Sequence, residues 1–131
     1  HLRRGVLPDV IEETCTAGAG TLLLEFATLS RLTGDPRFER AARQSLSGIW
    51  KYRGPLVRMI DSLYAVLTTA FQGLPGNVIN IMTGQWTQGD TGVGAGVDSF
   101  FEYVVKGHIL LGDPELLAMA EALSASVDNH I

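Results

Sequence analysis

Apolar positions recur at helical spacing along much of the chain. From Thr16 onward, Leu22, Phe26, Leu29 and Thr33 share one helical face, with Leu23, Ala27 and Ser30 beside it. Gly34 is suited to end that helix in the left-handed conformation. Asp35-Pro36 then supplies an N-cap followed by proline at the first helical position. The next helix carries Phe38, Ala41, Ala42, Leu46 and Ile49 and ends near Trp50. Two helices joined this tightly pack antiparallel, as an αα-hairpin. The same grammar returns later. The pattern predicts a helix over Asp98–Leu111, with Phe101, Val104, Val105 and His108 on one side and Gly112 as its stop. Asp113-Pro114 restarts the chain, and Leu116, Leu117, Met119, Ala120 and Leu123 make another helix. The copies share punctuation rather than sequence, so the repetition is architectural and not a short-period solenoid.

Other stretches follow different rules. His1 to Thr14 has no sustained period and reads as loop. Pro55 to Phe71 places Leu56, Ile60, Leu63, Leu67 and Ala70 at helical spacing. Asn77 to Thr87 reads as a small β-hairpin, with Val78, Ile79, Ile81 and Met82 before a Thr83-Gly84 turn and Gln85-Trp86-Thr87 after it. Gly89 to Gly96 is a glycine-rich loop that feeds straight into Asp98. The fold class is all-α: helix hairpins of an α/α toroid with one small β-hairpin.

Composition narrows the function. The 131 residues are 46% hydrophobic and 18% charged, which suits a globular core rather than a disordered chain. Net charge is −4 and the basic residues are scattered, so the basic stripe that nucleic acid requires is missing. The longest apolar stretch, Leu56 to Phe71, is broken by Arg58 and Asp61 and is too short to read as a membrane span. Cys15 is the single cysteine, which excludes an internal disulfide and a cysteine-rich metal site. No signal-peptide pattern is present, and both ends read as cuts within a longer protein.

The candidate chemistry is carboxylate chemistry. Gly92, Gly94 and Gly96 lack the spacing of a dinucleotide loop, and no Lys-Ser/Thr pair follows them. The loop is better explained as backbone that passes close to its neighbours or to substrate. No His-x-x-x-His, Glu-x-x-His or Gly-x-Ser-x-Gly pattern occurs, so a transition-metal centre and a serine nucleophile are both unsupported. His108 reads as a partly buried core histidine. Asp98 stands at a helix start, where a carboxylate caps exposed amides, and Glu102 lies one turn further on the same face. Glu25 sits within Leu22-Leu23-Leu24-Glu25-Phe26, so it is either a helix edge that reaches water or a costly buried acid with a function. Carboxylates at helix ends around a shared cavity are what a glycosidase needs, one as acid and one as base.

Longer phrases carry a resemblance. Glu13-Thr14-Cys15-Thr16-Ala17-Gly18, Leu24-Glu25-Phe26 and Leu29-Ser30-Arg31-Leu32-Thr33-Gly34-Asp35-Pro36 follow one another in that order. Gly76-Asn77-Val78-Ile79-Asn80, Thr83-Gly84-Gln85-Trp86 and Gly94-Ala95-Gly96-Val97-Asp98-Ser99-Phe100-Phe101-Glu102-Tyr103 continue the series. Together they resemble glycoside hydrolase family 47, the class I α-1,2-mannosidases, and within it the ER degradation-enhancing (EDEM) branch. The resemblance implies that residues 1–131 are part of a family catalytic domain, an (α/α)7 barrel. It implies inverting hydrolysis of α-1,2-linked mannose on N-glycans of misfolded glycoproteins in the ER lumen. It implies Asp98 as a catalytic acidic residue, acid or base, and Glu25 as a substrate-binding residue. Calcium is implied as cofactor, held mainly by residues outside this segment, so no metal ligand is assigned here. The implied partners are a high-mannose glycan on a misfolded glycoprotein and, for the parent protein, an ER oxidoreductase or chaperone. The segment by itself is expected to be inactive, since the family's other essential acids lie outside it. A mannose-binding, lectin-like protein of the same fold is the alternative.

The resemblance skips about residues 54–72, which read either as a lineage-specific insertion or as a retained intron. Phe71-Gln72 is what a pyrimidine-rich splice acceptor ending in CAG translates to.

Overall fold

The computed structural model describes residues 12–53 and 73–130. The helix expected over Pro55–Phe71, and the insertion reading of 54–72, lie outside the described residues. In chain order the elements are β1 (Glu13–Cys15), α1 (Thr16–Gly20), α2 (Leu23–Thr33), α3 (Arg37–Tyr52), β2 (Val78–Asn80), β3 (Trp86–Gln88), α4 (Asp98–Leu111) and α5 (Pro114–His130).

Local chemistry explains most of the boundaries. Gly34 and Gly112 end α2 and α4 with φ of 71° and 67°, the left-handed conformation that L side chains resist. Asp113 caps α5 as expected, its Oδ1 accepting the Glu115 amide at 2.9 Å. Asp35 sits one residue further out than expected. Pro36 holds the cap position of α3, and the Asp35 carboxylate instead receives both the amide and the guanidinium of Arg37.

The helix expected from Thr16 is two helices. Gly18 and Gly20 are poor helix formers, and Thr21 leaves the helix at φ −115° and ψ 43°. Gly20 is needed because a Cβ there would lie 2.3 Å from the Phe100 ring. The break rotates α2, so its buried stripe is Leu23, Ala27 and Ser30, while Leu22 and Leu29 reach solvent.

The contacts of α1 and α2 with α3 run in opposite directions along the chain. The Glu39 amide donates to Ser30 Oγ at 2.9 Å, and Ser45 Oγ donates to the Ala19 carbonyl at 2.6 Å. The contacts with α4 run the same way: the Ala17 amide donates to the Gly96 carbonyl, Gly20 meets Phe100, and Gly107 faces Leu23. Thus α2 and α3 form an antiparallel hairpin and α4 and α5 another, with α4 packed against both α1 and α2. Leu23, Ala27, Leu46, Ile49, Phe100, Val104, Leu116 and Leu123 make the shared core.

The expected β-hairpin is present, β2 pairing antiparallel with β3 around a turn in which the Gly84 amide donates to the Asn80 carbonyl. It gains a third strand, because β1 pairs with β2 through Thr14↔Ile79. Glu13–Cys15 was read as loop from sequence. Its partner is more than sixty residues away, and three residues with no alternation give no local signal.

Candidate active site

Asp98 is the first residue of α4, with Val97 in the cap position. The helix entry is held by backbone: the Gly94 carbonyl accepts the amides of Val97 and Asp98 at 3.2 and 2.9 Å. Capping therefore does not occupy the Asp98 side chain in the way its position suggested. Its Oδ1 accepts the adjacent Ser99 amide at 2.8 Å and the Ser99 hydroxyl at 3.3 Å, and the residue is exposed.

Glu25 occupies the first turn of α2. The apolar neighbours of Glu25 do not bury it: Leu23 goes inward, while Glu25 is exposed. The structure joins Glu25 to Tyr103 rather than to Asp98. The Tyr103 hydroxyl donates to Glu25 Oε1 at 2.5 Å, bridging α4 and α2. That hydrogen bond to a carboxylate, with burial and the nearby charges adding to it, raises the Tyr103 phenol above its ordinary pKa. Tyr103 was not singled out in the sequence, because its partner is 78 positions away and only the packing of two helices brings them together.

The other polar candidates have local partners. Glu102 pairs with Lys106 at 2.6 Å along α4. His108 is half-buried and donates from Nδ1 to the Asp113 carbonyl at 2.8 Å, in line with a structural histidine. Cys15 Sγ accepts the Gly18 amide at the start of α1. An open cleft along α3, lined by Pro36, Glu39, Arg40, Arg43, Gln44 and Ser47, contains neither Asp98 nor Glu25. Among the described residues no three His, Cys, Asp or Glu side chains converge as a metal site requires.

Helices α2 and α4 each carry an acid in the first turn, and α3 and α5 pack against them. The family model for glycosyl hydrolase family 47 matches residues 3–131. Similar relatives include ER degradation-enhancing alpha-mannosidase-like protein 2 of Homo sapiens and of Mus musculus. Each is 45% identical over 130 residues, covering 99% of this chain and 20% of the relative. Alpha-mannosidase I MNS4 of Arabidopsis thaliana is 46% identical over 117 residues, 89% of this chain and 16% of the relative. The chain belongs to glycosyl hydrolase family 47, a family of (α/α)7 barrels. It spans about one fifth of the length of the relatives named first. No helix of the described residues is long and apolar enough to cross a membrane.

Proposed function

We propose that the full-length protein is an α-1,2-mannosidase that trims N-glycans of misfolded glycoproteins in the lumen of the ER. The observation that carries this reading is an exposed first-turn carboxylate, Asp98, whose hydrogen bonds go only to the adjacent Ser99, in a chain that belongs to family 47. The names of the relatives, alpha-mannosidase and ER degradation-enhancing, support the substrate class and the compartment. Asp98 supplies one of two proton-transferring carboxyl groups, as acid or as base. Inversion needs these about 6.5–9.5 Å apart, so that a water fits between carboxylate and sugar. The second group comes from outside the 131 residues, and so do the main calcium donors. The segment alone is therefore inactive. Glu25 binds sugar hydroxyls through its exposed carboxylate.

The test is Asp98→Asn in the full-length protein. An asparagine oxygen can still accept the Ser99 amide, so the helix start survives while the ionisable group is lost. Mannose release from a Man9 glycan is expected to fall by about 10²-fold or more, at an unchanged melting temperature. Wild-type release by the variant would refute the role of Asp98. A lectin-like protein of this fold would capture the glycan and release no mannose even as wild type.

A further inference from the structure

The Glu25–Tyr103 contact assigns a role that the sugar-binding reading of Glu25 does not contain, although it rests on that reading. Glu25 reaches into solvent from the first turn of α2. A free glutamate there samples several rotamers, and a ligand that fixes it must offset the lost entropy. Tyr103 is half-buried on α4, and its hydroxyl reaches across to α2. Its hydroxyl engages only Oε1 of Glu25, leaving Oε2 able to accept from a ligand. Hydrogen bonds to a carboxylate are about twice as strong as neutral ones.

Position matters as much as strength. Tyr103 follows Asp98 by five residues on α4, about 7.5 Å along the helix axis. Holding Glu25 from this helix sets the sugar-binding carboxylate at a fixed offset from the catalytic one. A mannose unit presents vicinal hydroxyls, and a carboxylate that accepts from them must keep one rotamer.

We propose that Tyr103 is a positioning residue, which orients Glu25 to accept hydroxyls of the bound α-mannose. It touches the carboxylate and not the reacting atoms, so it governs affinity more than turnover.

The experiment is a double-mutant cycle in the full-length protein, with mannose release from a Man9 glycan as the readout. Tyr103→Phe removes one oxygen and keeps the ring. It is expected to raise KM about tenfold, the loss of one hydrogen bond to a charged group, with kcat within about twofold. Glu25→Ala should raise KM further, and adding Tyr103→Phe to it should change nothing more. Unchanged KM in Tyr103→Phe, or effects that simply multiply in the double variant, would overturn the positioning role while leaving Glu25 as a binding residue. An unchanged KM in Glu25→Ala would instead overturn the sugar-binding reading itself. Should Tyr103→Phe not fold, tyrosine absorbance at high pH decides the matter without a Tyr103 variant. One tyrosine should ionise earlier in Glu25→Ala than in wild type, and identical titrations would count against the tether.

Discussion

A side chain added at residue 96 would have no room. A Cβ on Gly96 would lie 2.0 Å from Asn77 Oδ1, and its φ of 94° is one that L residues rarely adopt. The Gly96 carbonyl also accepts the Ala17 amide at 2.8 Å, two residues ahead of Asp98. This crowding fixes where α4 begins and thus where Asp98 is presented. Gly96→Ala in the full-length protein should cost well over ~1 kcal/mol, because strain and clash act together. Its melting temperature should fall and mannose release should fall with it; a wild-type melt would contradict the argument. The sequence announced a loop of close approaches but not which glycine is pressed against what. That depends on Asn77, whose position is set by the sheet. Glu25 was recognisable as an unusual acid in an apolar run. Its exposure was left open between two readings, because the break at Gly20 and Thr21 that sets which face of α2 is buried does not show in the apolar run.

Helix elements here are tied by charge as well as by apolar packing. Arg31 meets Glu39 at 3.2 Å, Glu39 meets Arg43 at 2.9 Å, and Arg43 meets Asp113 at 2.5 Å. The chain of contacts links α2, α3 and the cap of α5, so it couples the two hairpins. Burial by itself would raise the Asp113 pKa, but hydrogen bonds from the Arg43 guanidinium and the Glu115 amide, with the charge of Arg43, outweigh it and lower the net value. A carboxyl depressed in the folded state stabilises the fold above its unfolded pKa of about 3.9, and that contribution is lost as pH falls through the folded value. Asp113→Ala should therefore cost about 1 kcal/mol or slightly more at neutral pH, as cap and ion pair go together. In the full-length protein this is a loss of a few degrees of melting temperature, with kcat and KM unchanged, and Asp35→Ala should likewise spare the kinetics. Denaturation curves should show the Asp113→Ala deficit constant from pH 7 to 5 and shrinking below pH 4; a deficit that grows in acid would reverse the assignment. The elements most legible from sequence were those with local punctuation. Gly112 and Asp113-Pro114 delimit α4 and α5 because caps and stops act within a few residues. The strand β1 and the Arg43–Asp113 link depend on partners 60 to 70 positions away and leave no local trace.

At the scale of the whole molecule, the core is one-sided. Leu32 is 80% exposed, Ile109 76% and Met82 73%, and Val105 and Leu110 join Ile109 on the open side of α4. Helices with such faces suit a barrel in which each hairpin leans on the next. The stretch 54–72 lies outside the described residues. Its sequence places Leu56, Ile60, Leu63 and Leu67 at helical spacing, and we propose that the stretch contributes nothing to the active site. The residues on either side of it support that view. The Tyr52 carbonyl accepts the Trp86 indole N–H at 2.8 Å, while Gly76 lies so near the same indole that a Cβ there would sit 2.8 Å from it. One aromatic side chain thus touches the chain just before the stretch and just after it, and the two flanks are close neighbours. Independent contacts hold each flank: the Thr16 hydroxyl donates to the Gly76 carbonyl at 2.6 Å, and Ile49 is buried in the core. Joining Arg53 to Gly73 leaves Leu74 and Pro75 to complete the connection, and closure entropy changes only slowly with loop length. The full-length protein lacking residues 54–72 should therefore melt within a few degrees of the parent and release mannose from a Man9 glycan at a rate within about threefold of it. A spliced transcript without these codons would give the same protein from nature. The result that defeats the proposal is a deletion variant with a native melting temperature that no longer binds or cleaves the α-1,2-mannose substrate. Such a variant would mean that the stretch reaches the sugar, because the flanks that Trp86 holds together would still be in place.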